Sequence, residues 1–297
     1  MSSASWEGRS RGNKLGYSIF ISLLKNFGLR PAYGLLRFVA LYYRWFVPAA
    51  TKPLRYLYEQ RMGYSRKEAN KLIKQNILYF GQGIIDKIAL LSKVKTDLTF
   101  THGRLANFEE MVAAGEGGIV VSAHLGNWEV AGNMLPVGTV INILMYDGEE
   151  EQMKQFMAQF DSQRSFNVIT IKPGNDNAHV YEIAAALRRN ELVCIHADRF
   201  RPGNKTFVRT FLGEEAHFPA GPFILASKLK TRAVFTFTFK ESDTSYRYVS
   251  YPPKIYEGRG TTGAEAMLDD FVRHLEEQVK KYPEQWFNYY DFWKARP

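Results

Sequence analysis

Cysteine is all but absent from this chain. One thiol, Cys194, stands among 297 residues, which excludes an internal disulfide and any paired-cysteine zinc site. It lies in the apolar run Glu191 to Ala197, where a small thiol packs as a hydrophobe rather than reacting. No His-Glu-x-x-His spacing occurs, and His124, His196 and Asp198 form a grouping that could ligate a metal without any spacing to support it, so no metal is expected. Ser122 lacks the flanking glycines of a nucleophile elbow, which argues against a covalent serine hydrolase. A phosphate-binding P-loop and a dinucleotide fingerprint are both missing. Residues 1 to 14 are polar and lack the apolar core of a cleaved signal peptide, so none is expected.

Acids are scarce in the first quarter. Residues 1 to 75 hold 14 lysines and arginines against three acids, whereas the rest of the chain holds 25 against 27, so the whole excess of the +9 net charge lies at the start. Such a segment suits nucleic acid or an anionic membrane, and the residues between the charges decide. Leu15 to Phe27 is apolar and aromatic and is closed by Gly28; a second helix is expected from Pro31 to Pro48. Arg37 and Arg44 are two turns apart on one side, among Leu35, Leu36, Phe38, Val39, Leu41, Tyr42 and Trp45. A helix of about 17 residues rises roughly 25 Å, slightly short for the hydrocarbon core, so it is expected to lie in the interface. No helix-turn-helix, zinc-finger or RNA-recognition signature is present, and no nucleic-acid partner is expected. The alternative is an ordinary helical cap with its arginines in water.

Hydrophobic residues make up 45% of the chain, enough for one large core with at most a small appendage. Ser65 and Glu68 form a capping-box signature, followed by Ile73, Ile77, Phe80, Ile84, Ile88 and Leu91 at helical spacing, with Gly81 and Gly83 allowing a close neighbour. A shorter helix is expected at 104 to 114. Strands are expected at Ile119 to Val121, Thr139 to Tyr146, Asn167 to Ile171, Leu192 to Ala197 and Ala233 to Phe239, and helices from Asp147, over Ala178 to Arg189 and after Gly221. Glu149 to Glu151 read as charges favouring a helix start. This alternation predicts an α/β fold, a mainly parallel mixed sheet flanked by helices, preceded by an N-terminal membrane-associating helical segment. The expected division is a basic docking region over 1–95 and an α/β domain over 96–297.

Chemistry concentrates at two strand ends. In GGIVVSAHLGNWEVAG, residues 117 to 132, His124 follows a β-branched run, Gly126 permits a sharp turn, Asn127 suits a helix N-cap and Glu129 falls in the first helical turn. An imidazole at a strand's carboxyl end beside a carboxylate suits general-base catalysis, with His124 as base and Glu129 orienting the ring. In residues 196 to 222, Asp198 and Arg199 stand at another strand end, followed by a loop with Arg201, Lys205 and Arg209. Asn127, Asp198, Arg199, Arg201 and Lys205 are the candidate substrate-binding residues, the cations suiting a phosphate on a phosphopantetheine arm or a lipid head group.

The His-x4-Glu spacing resembles the signature of the glycerolipid acyltransferase superfamily, and SAHLGNWE resembles its lipid A (lauroyl/myristoyl) acyltransferase branch. The resemblance extends through Asp198, Phe211, Gly213, Ala216, Pro219 and Gly221 to the tail PEQWFNYYDFWKARP, covering nearly the whole chain. It implies direct acyl transfer from a thioester to a hydroxyl or amine of a lipid A precursor or related amphiphile. No resident cofactor is implied; acyl-carrier protein or coenzyme A enters with the acyl chain as co-substrate. The implied partners are acyl-carrier protein, an anionic membrane surface and a lipid acceptor, at the cytoplasmic face of the bacterial inner membrane, peripheral or monotopic. The transition-state oxyanion would take donors from backbone N–H groups near Gly126 or from Arg199. Two departures leave the acceptor open: Tyr146-Asp147 and Tyr290-Asp291 stand where the family often carries an arginine and a His-Arg pair. An acyl-thioester hydrolase and a non-catalytic lipid-binding protein are the alternatives.

Overall fold

The computed structural model describes residues 14–46, 48–102, 106–134, 138–148, 166–172 and 177–294. The helix expected from Asp147, with Glu149 to Glu151, falls almost wholly outside them, as do the side chains of Tyr42, Arg44 and Trp45.

The chain opens with helices α1 (Lys14–Phe27) and α2 (Leu29–Phe46), then α3 (Pro48–Arg55), a π-helical turn at Tyr56–Arg61 and the long α4 (Arg66–Leu91). The Gly28 N–H closes α1 on the Leu24 carbonyl at 3.0 Å. α2 starts two residues before Pro31, which is tolerated in a first turn where its missing N–H has no partner to lose. Its buried Ala32, Tyr33, Leu36 and Ala40 recur at helical spacing and pack on α4. A Cβ at Gly81 of α4 would meet Leu36 Cδ1 at 2.4 Å, so glycine permits this close crossing. The capping box is formed: Ser65 Oγ accepts from the Glu68 N–H, and Glu68 accepts from the Ser65 N–H. Away from the buried face, α2 turns Arg37, Phe38 and Leu41 outward; Phe38 is 73% exposed, as is 70% of Phe27 at the end of α1. Among the described residues no helix is long and apolar enough to cross a membrane.

Next come β1 (Thr99–His102), α5 (Ala106–Ala113), β2 (Gly118–Ser122), α6 (Trp128–Met134), β3 (Ile141–Tyr146), β4 (Asn167–Ile171), α7 (Ala178–Arg188) and β5 (Leu192–His196). They are followed by β6 (Thr206–Phe211), β7 (Glu214–Pro219), α8 (Gly221–Leu229), β8 (Arg232–Lys240), β9 (Ser245–Ser250), β10 (Lys254–Ile255) and α9 (Thr262–Lys281). The sheet runs β1-β9-β8-β2-β5-β3-β4. Its pairs are parallel except β8 with β9, and β10 adds antiparallel to β8. A mixed, mostly parallel sheet flanked by helices is therefore what the alternation produces. The central strands are apolar along their length because both faces are covered. Ile119, Val121, Val193, Ile195, Phe235 and Phe237 join one large core with α8 and α9, while Val120, Leu192, Val234 and Cys194 pack with Met111 of α5 and Ala131 of α6.

One feature departs from the expected layout. Residues 196 to 222, expected as a loop, contain a hairpin in which β6 and β7 pair antiparallel through a turn at Leu212 and Gly213. Arg209 sits on that hairpin rather than in a loop and pairs with Glu265 at 3.2 Å and with Asp269 of α9. The N-terminal region shares the core of the sheet. Leu54, Leu57, Tyr58, Ala69 and Ile73 belong to the same apolar cluster as the sheet.

Candidate active site

β2 and β5 are parallel neighbours with Ser122 opposite His196, so the two chains leave the sheet side by side. His124 and Asp198 lie two residues beyond that pair. The His124 backbone N–H donates to Asp198 Oδ2 at 2.9 Å, and His124 Nδ1 lies 2.8 Å from Oδ1. The Trp286 indole N–H adds a third contact, to Oδ2 at 3.3 Å. The Asp198 side chain is 2% exposed and that of His124 is 25% exposed. Burial alone would raise the Asp198 pKa. The His124 ring, its hydrogen bond and the Arg199 guanidinium outweigh that and hold the carboxyl well below the usual carboxylate range. An ionised carboxylate at Nδ1 fixes the ring's orientation and leaves Nε2 as the proton-accepting atom.

The loop carrying His124 is clamped by backbone. Gly126 has φ +75°, and a Cβ there would lie 1.9 Å from the Thr238 carbonyl oxygen, so no other residue fits. The Gly126 N–H donates to the Gln285 carbonyl at 2.8 Å, the Asn127 N–H to the Thr238 carbonyl at 2.7 Å, and the Phe287 N–H to the His124 carbonyl at 2.9 Å. The C-terminal tail is thus a wall of the site. Its Trp286 is fully buried against Phe211, Phe292 and Trp293, each such ring contributing about 1.5–3 kcal/mol to stability.

The remaining candidates are distributed around this pair. Glu129 Oε1 accepts from Lys87 Nζ of α4 at 2.5 Å, and the carboxylate on Nδ1 of His124 is that of Asp198. Asn127 caps α6 by accepting from the Val130 N–H at 3.3 Å and donates to the Gly83 carbonyl at 3.2 Å. Arg199 donates to the Phe287 carbonyl at 2.7 Å and lies 5.9 Å from the Tyr290 ring. Arg201 stacks on Tyr146 at 4.0 Å, and the exposed Lys205 stands 6.0 Å from the Phe207 ring. Asp198 therefore serves the ring, and Arg199, Arg201 and Lys205 stand against the rings of Tyr290, Tyr146 and Phe207.

Sequence reasoning missed several neighbours. The His196 ring meets His124 at 4.6 Å and 66°, and Trp128 meets His196 at 5.3 Å and 81°. Phe80 of α4, 42% exposed, meets Phe287 and Tyr289 edge-on at 5.3 and 5.4 Å. The legible signal for His196 was its place in β5. With side chains alternating, His196 and Asp198 leave the same side of the strand, the side on which Cys194 lies. Among the described residues no cluster of three or more His, Cys, Asp or Glu is arranged to hold a metal ion.

The family model for bacterial lipid A biosynthesis acyltransferases matches residues 19–295. The chain belongs to that family. It is similar to the phosphatidylinositol mannoside acyltransferase of Mycobacterium tuberculosis, 25% identical over 207 residues that cover 68% of this chain and 63% of that protein. The protein of the same description from Mycolicibacterium smegmatis is 24% identical over 208 residues, covering 65% of each. The matched stretch thus spans less than two thirds of those relatives' length. In this member of the lipid A acyltransferase family the two departures are tyrosines in contact with arginines. Tyr146 lies under Arg201 and accepts from Asn204 at 3.4 Å, while Tyr290 donates to the Asp198 carbonyl at 3.3 Å beside Arg199.

Proposed function

We propose that this protein is a membrane-docked acyltransferase that moves a fatty acyl chain from a thioester to a hydroxyl or amine of an amphiphilic lipid, with His124 as general base. The observation that carries the reading is the His124–Asp198 pair, at adjoining strand ends, with a buried carboxylate on Nδ1 and a partly exposed ring. Nε2 takes the acceptor's proton as its oxygen or nitrogen attacks the acyl carbon, and the carbonyl π electrons move onto oxygen. When the tetrahedral intermediate collapses, the C–S bond breaks and the thiolate takes the proton held by His124. A thiol leaves readily, so no enzyme nucleophile is required. Asp198 holds the ring and stabilises its cationic form.

The acceptor is a lipid A precursor or a related glycolipid; the relatives' description as phosphatidylinositol mannoside acyltransferases favours the broader class. Arg199 and Arg201 engaged with Tyr290 and Tyr146 favour an acceptor less dependent on two phosphates. The donor is acyl-carrier protein or coenzyme A. Exposed Ile19, Phe27, Phe38 and Leu41, interspersed with exposed Lys25, Arg30 and Arg37, suit docking on an anionic bilayer, at the cytoplasmic face of the bacterial inner membrane as a peripheral or monotopic protein.

The test is product analysis. Purified protein receives a radiolabelled acyl thioester with vesicles that contain or lack a glycolipid acceptor. Label entering the lipid only when acceptor is present is expected. Label released as free fatty acid at an unchanged rate makes the protein a hydrolase, and no turnover in either case overturns the reading.

A further inference from the structure

A base alone does not complete the site, because the attack places negative charge on the thioester oxygen. That charge is stabilised best by a fixed donor. Three backbone donors of the turn are already committed. The N–H groups of His124, Gly126 and Asn127 go to Asp198, Gln285 and Thr238 respectively. Arg199 directs a guanidinium N–H at the Phe287 carbonyl.

His196 remains. It ends β5 beside the reacting ring, edge-on to His124 at 4.6 Å and to Trp128 at 5.3 Å. The residue is only partly buried. Neither ring nitrogen has a hydrogen-bond partner among the described residues, and neither is fully buried. Two aromatic neighbours hold the ring by shape and leave its N–H uncommitted. Burial, with the adjacent His124 ring, lowers its pKa to about 3 against the opposing pull of Asp198, so it stays a neutral imidazole across any ordinary assay pH. A neutral imidazole always carries one N–H donor.

Resting on the acyl-transfer reading, we propose that His196 is a catalytic residue whose ring N–H donates to the thioester carbonyl oxygen as that oxygen becomes an oxyanion. The acceptor bound to His124 Nε2 and the acyl carbon it attacks then face two touching imidazoles of different duty. His124 receives and returns the proton, while His196 keeps its own. No bond to His196 forms or breaks.

Two substitutions separate this role from packing, since His196→Phe keeps a ring against His124 and Trp128 without a donor, and His196→Gln keeps an N–H donor without the ring. The expected result is a fall in kcat of about 100-fold for His196→Phe, with KM for the thioester within about twofold, and of no more than about tenfold for His196→Gln. Thermal melts and vesicle binding confirm that both variants are folded. His196→Phe as active as wild type overturns the proposal, and so does His196→Gln losing as much as His196→Phe. Should the phenylalanine variant fail to fold, the glutamine variant decides alone, and a loss beyond about tenfold overturns it. Wild-type protein that turns over no acyl thioester defeats the acyl-transfer reading itself, whereas a competent wild type with an unimpaired His196→Phe defeats only the role of His196.

Discussion

Two buried carboxylates can be set side by side. Asp198 meets the partly exposed His124 beyond the ends of β2 and β5, and Asp86 meets Lys240 at 2.6 Å in the interior, where the two side chains are 0% and 3% exposed. Asp86 also accepts from the hydroxyls of Tyr33 and Tyr246, and Lys240 donates to the Tyr33 hydroxyl at 3.0 Å. That cluster joins α2 and α4 to β8 and β9, tying the amino-terminal helices to the sheet. Burial raises the Asp86 pKa against the pull of Lys240, whereas Asp198 is held low because its neighbours outweigh burial. The difference lies in what stands beyond each carboxylate. Asp86 faces a sealed ammonium and carries architecture; Asp198 faces an imidazole that reaches an opening, so a proton can come and go.

Variants can break that contrast. The largest effect is expected at the open pair, where His124→Ala lowers transfer by about 10²–10⁴-fold in a radiolabelled acyl assay and leaves the melting curve intact. The sealed pair reverses the pattern. Lys240→Met or Asp86→Leu alone strands a buried charge and costs about 3–5 kcal/mol in urea unfolding, while the double variant recovers most of it. Restoration absent in the double variant would show that the tyrosines, not the ion pair, hold the joint.

Acid sharpens the comparison further. His196 has a folded pKa of about 3, below the ordinary value near 6.5, so the unfolded chain binds a proton that the folded chain refuses. Stability falls as pH drops from about 6.5 toward 3. Asp198, depressed in the folded state, adds stability above the ordinary carboxylate pKa that is lost as pH falls through its folded value. Urea melts over this window are expected to slope less steeply by about one proton in His196→Phe. The smallest effect lies on the outer face, where Phe38→Glu is expected to weaken binding to anionic vesicles by about tenfold, since withdrawing one large apolar side chain forfeits about 1.5 kcal/mol.

Much of the fold was legible because periodicity reports burial. The run Ile119 to Val121 and the capping box at Ser65 and Glu68 each fix an element, and both fall where expected. The β6–β7 hairpin was hidden because Lys205, Arg209 and the glutamates around Leu212-Gly213 read as solvent-facing loop. Within the site, His124 was legible from one strand and one turn. Its partner was harder: adjacency in sequence favoured Glu129, but β2 and β5 are neighbours in space and 70 residues apart in sequence, which brings Asp198 to Nδ1. Asp86, Lys240 and Tyr33 carry no local signal, since their association exists only after α2, α4 and β8 have packed.

The assignment of Asp198 as the group that holds the catalytic ring is open to one direct measurement: the rate of acyl transfer by Asp198→Asn across a pH series, beside wild type. The neutral amide cannot stabilise the imidazolium, so kcat is expected to fall by about 100-fold or more with KM little changed and the melting transition still cooperative. A folded Asp198→Asn variant that transfers acyl chains at the wild-type rate and with the wild-type pH profile would contradict the account.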